Sequence, residues 1–407
     1  MTSKETHGST EDTRLEPGQS KRIPKTSDER ETERGFSDPS DTGGTQQPHH
    51  IELLVVGTFA GGGIHRYIEE QVERLQGSVS VDTHDMDSPP MGHGTAGFVQ
   101  GVFLGIVALL SFPFRDRPDI VHVHTSHQYS FYRASPYVLY AQYVWNVPVI
   151  VHIHGSSFDV FMQTDSQLVA WLQRTVFAGS DEILVLSEFW KDAVSERADP
   201  DKIRVLPNAV EPARFPVAQS RTGDNEDGVP HIVFLSNLIE RKGVCELVEA
   251  LKKLARTHPG QFRASIAGTG TLRNRIEKLA DAHEEISYLG YVSEERKRSL
   301  LAEGSIYVLP TYAEGLPIAM LEGMAGANAI VSTGVGSIPE VIDENRGLLV
   351  EPGDVDGLTE ALATLITAPE RRREMAANNR QAVETEYSWH TVRDELLGIY
   401  ETHTRYD

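Results

Sequence analysis

Two glutamates in a stretch of otherwise small and apolar residues are the first candidates for chemistry. Residues 312–327 read YAEGLPIAMLEGMAGA, and seven residues separate Glu314 from Glu322. Carboxylates accept hydrogen bonds from hydroxyl groups, so the two side chains are suited to holding a polyhydroxylated ligand at two points. If a helix begins near Ile318, Glu314 lies in the preceding loop and Glu322 just over one turn inside. Local hydrogen bonds within the helix are the alternative role for Glu322.

Three features of the chain are suited to binding a diphosphate. The segment GGGI at 61–64 stands between an aliphatic run and a helical pattern, where backbone can approach an anion. Arg241 and Lys242 are adjacent cations directly before Gly243. The helix expected near Ile318 adds a third set of outward-facing N–H groups. A tight turn and a solvated surface pair are the alternatives for the first two, so their convergence on one cleft is the stronger argument.

The elements that must position these residues repeat in two halves. An aliphatic run, a glycine-bearing turn and a helical pattern begin at residue 50, and the same order restarts at His231. Strands that alternate with helices predict an α/β protein with two tandem doubly wound Rossmann-like domains facing across a cleft. The predicted segments are a disordered acidic and polar tail (1–49), a first Rossmann-like domain (50–212), a linker (213–230), a second Rossmann-like domain (231–385) and a closing helix (386–407).

Open parallel sheets bind ligands beyond the carboxyl ends of their strands. In this chain the segments AGTG at 267–270 and LGYV at 289–292 end two such strands in the second half. Their backbone groups are therefore expected to hold the base of a nucleotide. A nucleoside diphosphate sugar has the required order of parts, with pyranose, diphosphate, ribose and base in line.

Composition limits the class of protein. The 407 residues carry a formal charge of −21 and a single cysteine. An acidic chain of this kind disfavours general nucleic-acid binding, and one cysteine excludes an internal disulfide and fits a reducing cytoplasm. No secretory leader is expected at the N-terminus. The hydrophobic run FVQGVFLGIVALLSF at 98–112 is too short to span a bilayer; a buried helix is expected there, with a face seated on the inner membrane surface as the alternative.

The whole pattern resembles the retaining glycosyltransferases of the GT-B fold, in the large group often called family 4. The resemblance covers about residues 50–400, and EGLPIAMLE resembles that group's Glu-x7-Glu signature. The further motifs, in the expected order, are GGIHRYIEEQVERL, PDIVHVH, HIHGSSFD, VLSEF, PNAVEPARF, RKG, AGTG, VGSIPEVI, GLLVEPGD and YSWHTVRDELLGIY.

The resemblance implies transfer of a hexose-type sugar from a UDP or GDP sugar to a hydroxyl of a glycan, polysaccharide or lipid-linked acceptor, with retention of configuration. It implies that the first domain lies on the acceptor side and that the second binds the nucleotide sugar. It also implies no cofactor and no metal, and a C-terminal helix that crosses back to the first domain. Glu314, His154 and Lys242 would be the catalytic residues. The donor-binding residues would be Gly62, Gly63, Asn237, Arg241, Lys242, Gly268, Gly270, Tyr291, Val292, Glu314, Gly315, Leu316, Pro317 and Glu322.

One departure from the family's pattern concerns the phosphate site. Ser236-Asn237-Leu238 stands where the family usually has Gly-Arg-Leu, so a phosphate cation is missing at Asn237. Arg241, four residues later, is the candidate replacement. The same departure motivates an alternative function, a nucleotide-sugar-binding subunit that has lost transfer.

Metal chemistry is a further alternative. Asp-x-Asp occurs at 85–87, 199–201 and 354–356, although three scattered copies in so acidic a chain are expected from composition. His-x-His occurs at 122–124 and 152–154, and this pattern at a strand end can ligate zinc in hydrolases. Hydrogen-bonded core histidines are the expected role of His122 and His152.

The balance of charges predicts a salt-adapted surface. The chain has 10 lysines and 28 arginines against 59 acidic residues, and salt screens the mutual repulsion of so many carboxylates. We expect the free energy of unfolding, measured by denaturant titration, to rise between low and multimolar KCl. A stability that stays constant or falls over that range would contradict the hypothesis.

Overall fold

The computed structural model describes residues 50–59, 62–86, 95–215 and 229–404, with the backbone alone at 95–99. The predicted tail at 1–49, Gly61, Asp87 and most of the predicted linker at 213–230 lie outside the described residues. Among the described residues, the strands form two parallel six-stranded sheets. We call each sheet with its helices a lobe.

The first lobe contains a sheet with strand order β2-β1-β3-β4-β5-β6. Its strands are β1 (Glu52–Gly57), β2 (Ser80–Asp85), β3 (Ile120–Thr125), β4 (Val149–Ile153), β5 (Glu182–Val185) and β6 (Ile203–Val205). Its helices are α1 (Gly63–Leu75), α2 (Thr95–Ser111), α3 (Tyr129–Tyr140), α4 (Phe158–Met162), α5 (Gln167–Ala178) and α6 (Glu188–Ser195).

The second lobe repeats the architecture with strand order β12-β11-β10-β7-β8-β9. Its strands are β7 (His231–Leu235), β8 (Arg263–Ala267), β9 (Ile286–Tyr288), β10 (Ile306–Leu309), β11 (Ala329–Thr333) and β12 (Gly347–Val350). The helices that follow are α7 (Val244–Thr257), α8 (Arg273–Ala282), α9 (Glu294–Glu303), α10 (Ile318–Ala325), α11 (Ile338–Val341), α12 (Val355–Thr367), α13 (Pro369–Thr385) and α14 (Trp389–His403).

The central strands are buried on both faces. Every residue of β3, β4, β7 and β10 is buried, which is typical of parallel sheets covered by helices on each side. Because both faces are covered, polar groups can reach solvent only at the strand ends. The predicted fold class is confirmed, and the carboxyl ends of the strands are the place for a site.

The closing helix α14 packs on the first lobe, as predicted. Ser388 caps its N-terminus by accepting a bond from a backbone N–H. The Tyr400 hydroxyl lies 2.7 Å from Nδ1 of His122 in β3. Near the helix end, His403 lies 2.8 Å from a carboxylate oxygen of Glu182 in β5. The helix therefore joins the end of the chain to the sheet of the first half.

The buried helix predicted at 98–112 is wrong, because α2 is largely exposed. Ala108 and Phe112 pack inward, while the described apolar side chains on the other faces are in solvent, including Phe103 at 63% and Leu110 at 64% exposure. The remaining exposed ones are Val102, Ile106, Val107 and Leu109. A helix that is apolar on all sides gives no periodic signal for the face that packs. Among the described residues, no helix is long and apolar enough to cross a membrane.

We expect the hydrogen bonds of the Tyr400 hydroxyl to contribute measurably to the free energy of unfolding. The hydroxyl also accepts a bond from Gln71 Nε2 at 2.8 Å, inside the buried contact between α14 and the sheet. Tyr400→Phe should lower the free energy of unfolding by about 1–2 kcal/mol, because two buried polar groups lose a partner. Tyr143→Phe, at a side chain 64% exposed, is the matched control and should change it by less than about 0.5 kcal/mol. Equal denaturation midpoints for the two variants would contradict this assignment.

Candidate functional site

A cleft of about 630 Å³ lies between the two lobes, at the carboxyl ends of their strands. It is lined by almost all of the residues that the sequence singles out. These are Gly62, Gly63, His154, Asn237, Arg241, Lys242, Gly268, Tyr291, Val292, Glu314, Gly315, Leu316, Pro317 and Glu322. The structure brings these residues together, and their individual roles stay predictions.

Gly270 is the predicted residue that the cleft lining does not include. A Cβ atom at this position would lie 2.3 Å from the Leu238 carbonyl oxygen. The glycine therefore allows two backbone segments to pack closely. That packing supports the loop that carries Gly268, which does line the cleft.

Lys242 and Glu314 form an ion pair inside the cleft. Glu314 is 7% exposed, and its Oε1 also accepts a bond of 3.2 Å from Thr311 Oγ1. Removing a carboxylate from water is costly unless it is paired and hydrogen-bonded. The two residues are thus each other's charge partners in the cleft.

The glycine after Lys242 makes this pairing possible. Gly243 has a φ of +68°, and a Cβ atom there would lie 1.7 Å from the Pro310 carbonyl oxygen. Only glycine fits at this contact, since any side chain would push the two loops apart. A backbone bond of 2.8 Å from Tyr312 N–H to the Arg241 carbonyl fixes the same approach.

Arg241 lines the cleft, but its guanidinium is already engaged. Its Nη1 donates to the Ala313 carbonyl at 2.6 Å. Asn237, where the family's usual arginine is missing, is exposed in the cleft wall. The Arg241 guanidinium is therefore anchored to the loop that carries Glu314, and its replacement of the missing cation stays a prediction.

Helix α10 begins at Ile318, as the sequence predicts, and its residue Glu322 is 4% exposed. The carboxylate does not depend on local helix bonds. Its Oε1 lies 2.7 Å from Lys297 Nζ in α9 and 3.0 Å from Arg66 Nη2 in α1. The local role considered for Glu322 is thus wrong, because its partners come from both lobes.

Sequence reasoning missed Arg66, Glu294 and Lys297, all of which line the cleft. Arg66 makes two bonds across the cleft to the Glu294 carboxylate, at 2.9 and 2.6 Å. Their position in the sequence was the signal that could have found them. Each of the three lies in the first turn of a helix that directly follows a strand and loop already chosen as a site.

The charged residues that line the described cleft leave an excess of one positive charge. The cations are Arg66, Arg241, Lys242 and Lys297, and the carboxylates are Glu294, Glu314 and Glu322. An anion with hydroxyl groups on either side would satisfy both kinds of side chain. The arrangement therefore suits a phosphorylated, polyhydroxylated ligand.

His154 follows β4 and faces the cleft, next to a row of imidazoles. Its Nε2 lies 2.9 Å from His124 Nδ1, and its ring stands 4.0 Å from that of His152, centroid to centroid. Burial lowers the pKa of His154 to about 3, against a weaker opposing effect of the Asn208 side chain. The imidazole is therefore neutral at physiological pH and acts through hydrogen bonds rather than charge.

The expectation of hydrogen-bonded core histidines is correct for His122 and wrong for His152. His122 contacts Tyr400 and Gln71 through Nδ1, and burial lowers its pKa to about 3. Neither ring nitrogen of His152 has a hydrogen-bond partner among the described residues. Stacking against neighbouring rings holds it instead.

The same histidines are the cluster best placed to bind a metal in the described part of the chain. Ring nitrogens of His122, His124 and His152 lie within 4.8 Å of one another. All three are fully buried and none lines the cleft. Because the three rings have no access to the cleft, the cluster does not fit a hydrolytic zinc that must keep a position open to substrate.

The described Asp-x-Asp copies serve local structure. Asp199 accepts a bond from the N–H of Asp201, and Asp354 caps α12. Asp356 pairs with Lys253 on the surface. The copy at 85–87 lies partly outside the described residues.

The lobes also touch beside the cleft. Asn208 Nδ2 donates to the Leu316 carbonyl at 2.6 Å, and the Ser187 and Ser337 hydroxyls lie 2.9 Å apart. The Glu340 carboxylate accepts bonds from the first two N–H groups of α6, at 3.0 and 2.7 Å. The cleft is thus closed by contacts between the lobes on more than one side.

Comparison with known families gives two matches along the chain. Residues 62–209 match the family described as "Glycosyl transferase 4-like domain", and residues 229–368 match "Glycosyl transferases group 1". Together the two matches cover more than half of the chain, one in each lobe. Both lobes therefore carry the sequence features of glycosyltransferases.

Individual proteins agree with this result. The chain is 27% identical to the alpha-maltose-1-phosphate synthase of Mycolicibacterium smegmatis, over 84% of this chain and 95% of the relative. It shares the fold of sucrose-phosphate synthase from Thermosynechococcus elongatus, with a TM-score of 0.71, 17% identity and coverage of 86% and 98% of the two chains. It also shares the fold of Anabaena HepE in complex with UDP and glucose, with a TM-score of 0.66, 13% identity and coverage of 87% and 100%.

Proposed function

Because the chain belongs to the retaining group 1 glycosyltransferases of the family 4 type, we propose that its cleft transfers a hexose-type sugar from a nucleoside diphosphate sugar. The acceptor is a hydroxyl of a glycan, a polysaccharide or a lipid-linked sugar, and no metal is needed. The observation that carries the proposal is the pair of buried carboxylates, Glu314 and Glu322, each held by cations in the same cleft. Family membership argues against the zinc-hydrolase and non-catalytic alternatives.

The donor would lie along the cleft with its sugar at Glu314 and its ribose at Glu322. Gly62, Gly63 and the N-terminus of α10 would meet the diphosphate, and the loops with Gly268 and Tyr291 would meet the base. HepE binds UDP, which supports a UDP sugar as the first donor to test and a GDP sugar as the second. The charge excess of the cleft supports an anionic ligand of either kind.

Binding would exchange partners rather than create bare charges. A donor phosphate would take Lys242, and the sugar hydroxyls would take the oxygen of Glu314 that Lys242 releases. The lysine keeps an opposite charge and the carboxylate keeps hydrogen-bond donors, so neither group is left without a partner. Negative charge grows on the leaving diphosphate as its bond to the sugar breaks, and this charge raises the barrier to transfer. Lys242 and the N-terminus of α10 stabilise that charge.

The proton of the acceptor hydroxyl would go to the leaving phosphate. His154 is neutral, so it assists by a hydrogen bond at the reacting sugar and does not deliver a charge. We propose no covalent glycosyl-enzyme, because Glu314 and Glu322 engage different cations and would hold different ends of the donor.

Thermal-shift titration with UDP, GDP, ADP and dTDP in high KCl, with and without EDTA, tests the donor and the metal question together. We expect one nucleotide to raise the melting temperature and EDTA to leave that shift unchanged.

Glu314→Ala and Lys242→Ala should then lower the rate of sugar transfer by about a hundredfold or more. Glu249→Ala and Lys252→Ala, which break a surface ion pair, are the matched controls and should retain activity. Full activity in either cleft variant, or no shift with any nucleotide, would contradict the proposal.

A lipid-linked acceptor is the version of the proposal that α2 favours. This helix carries no charged residue and exposes a group of large apolar side chains, and Phe114, three residues beyond its end, is 90% exposed. Patches of this kind mark interaction sites. An acidic protein in high salt would reach a membrane by such an apolar contact, because the salt screens its repulsion from anionic lipid. We propose that α2 rests on the inner membrane surface near the acceptor.

Flotation with vesicles of phosphatidylcholine and phosphatidylglycerol in multimolar KCl tests the membrane contact. We expect the wild-type protein to float, and Phe103→Ser with Leu110→Ser to lower the bound fraction about tenfold, because each buried methylene contributes about 0.8 kcal/mol. Leu349→Ser, at an exposed position of the second lobe, is the control and should float like the wild type. A wild-type protein that stays at the bottom of the gradient would exclude the contact.

A further inference from the structure

The first lobe presents one charged side chain to the cleft among the described residues, and that side chain is Arg66. Its backbone N–H bonds the Gly62 carbonyl at 3.2 Å, in the first turn of α1. This bond ties the backbone of Arg66 to the glycine loop at the cleft wall, where the side chain begins. From there it reaches the second lobe.

Arg66 makes two different contacts on the second lobe. Both of its terminal nitrogens donate to the Glu294 carboxylate, which is 51% exposed. Its Nη2 also lies 3.0 Å from Oε1 of Glu322, whose side chain is 5% exposed. The first contact is in solvent and contributes little, whereas the second involves a carboxylate that is out of water.

Lys297 meets the same oxygen of Glu322, at 2.7 Å. The two cations thus converge on Oε1, one from each lobe, and the other oxygen, Oε2, takes part in neither of these bonds. A carboxylate fixed in this way offers Oε2 in one orientation. The orientation depends on Arg66, and therefore on the approach of the first lobe.

We propose that Arg66 is a positioning residue that aims the Glu322 carboxylate at the ribose of the donor from across the cleft. Ribose recognition is then coupled to the contact between the lobes, because one of the two cations that orient Glu322 belongs to the opposite lobe. The inference rests on the proposed function. It assigns a role to a residue outside the Glu-x7-Glu segment.

Calorimetric titration of the full chain with UDP and with 2′,3′-dideoxy-UDP tests this coupling. If GDP is the nucleotide that binds, GDP and 2′,3′-dideoxy-GDP are used instead. In the wild type, loss of the ribose hydroxyls should weaken binding strongly. We call the ratio of the two dissociation constants, dideoxy-UDP over UDP, the dideoxy penalty. In Arg66→Ala this ratio should be smaller by about fivefold or more, because the effects of neighbouring groups that act together are not additive. Arg66→Lys, which keeps one cation for Glu322, should restore part of the penalty.

Glu294→Gln is the matched control, since it removes the exposed charge that pairs with both Arg66 and Lys297 and keeps both of these cations for Glu322. It should keep the wild-type penalty. Suppose that Arg66→Ala and Arg66→Lys weaken the binding of UDP and of dideoxy-UDP by the same factor. Arg66 then contributes only a general positive charge, and the inference is overturned. If the wild type binds neither nucleotide pair, the proposed function fails and the inference fails with it.

Discussion

Compensation of two buried carboxylates is the constraint on which the rest of the cleft depends. An ion taken out of water costs several kcal/mol unless partners and hydrogen bonds replace its hydration. Glu314 obtains Lys242 from a loop 72 residues earlier in the chain, and Glu322 obtains Lys297 from a neighbouring helix and Arg66 from the other lobe. Each carboxylate therefore fixes how separate elements approach one another.

The ion pairs also explain why the lobes contact each other so closely. Arg66 crosses the cleft on one side, and Glu340 caps α6 from the opposite lobe elsewhere. The N–H groups at the start of α6 have no side-chain cap from their own lobe, so lobe contact satisfies donors that would otherwise depend on water. Polar contacts thus contribute to the closure of the lobes on more than one side.

The imidazole row behind the cleft shows how burial sets chemistry. His122, His124, His152 and His154 stack within a sheet of apolar strands, and burial lowers the pKa of each of them. Neutral rings can lie against one another without repulsion, whereas charged ones could not. The row places a neutral hydrogen-bonding group, His154, at the edge where the sugar is expected, and the helix α14 closes the far end through Tyr400.

The sequence by itself determined the alternation of strands and helices, the start of α10 at Ile318 and the placing of the glycine loops at strand ends, because apolar periodicity and glycines are local signals; most of the predicted cleft residues came with the family resemblance. It could not determine that Glu314 pairs with Lys242, that Glu322 is held by Arg66 and Lys297, that Gly270 serves backbone packing, or that α2 lies exposed. Those outcomes depend on which side chains meet after distant segments pack. Charge partners across two lobes and the packed face of a uniformly apolar helix leave no periodic trace in the chain, so only the tertiary structure decided them.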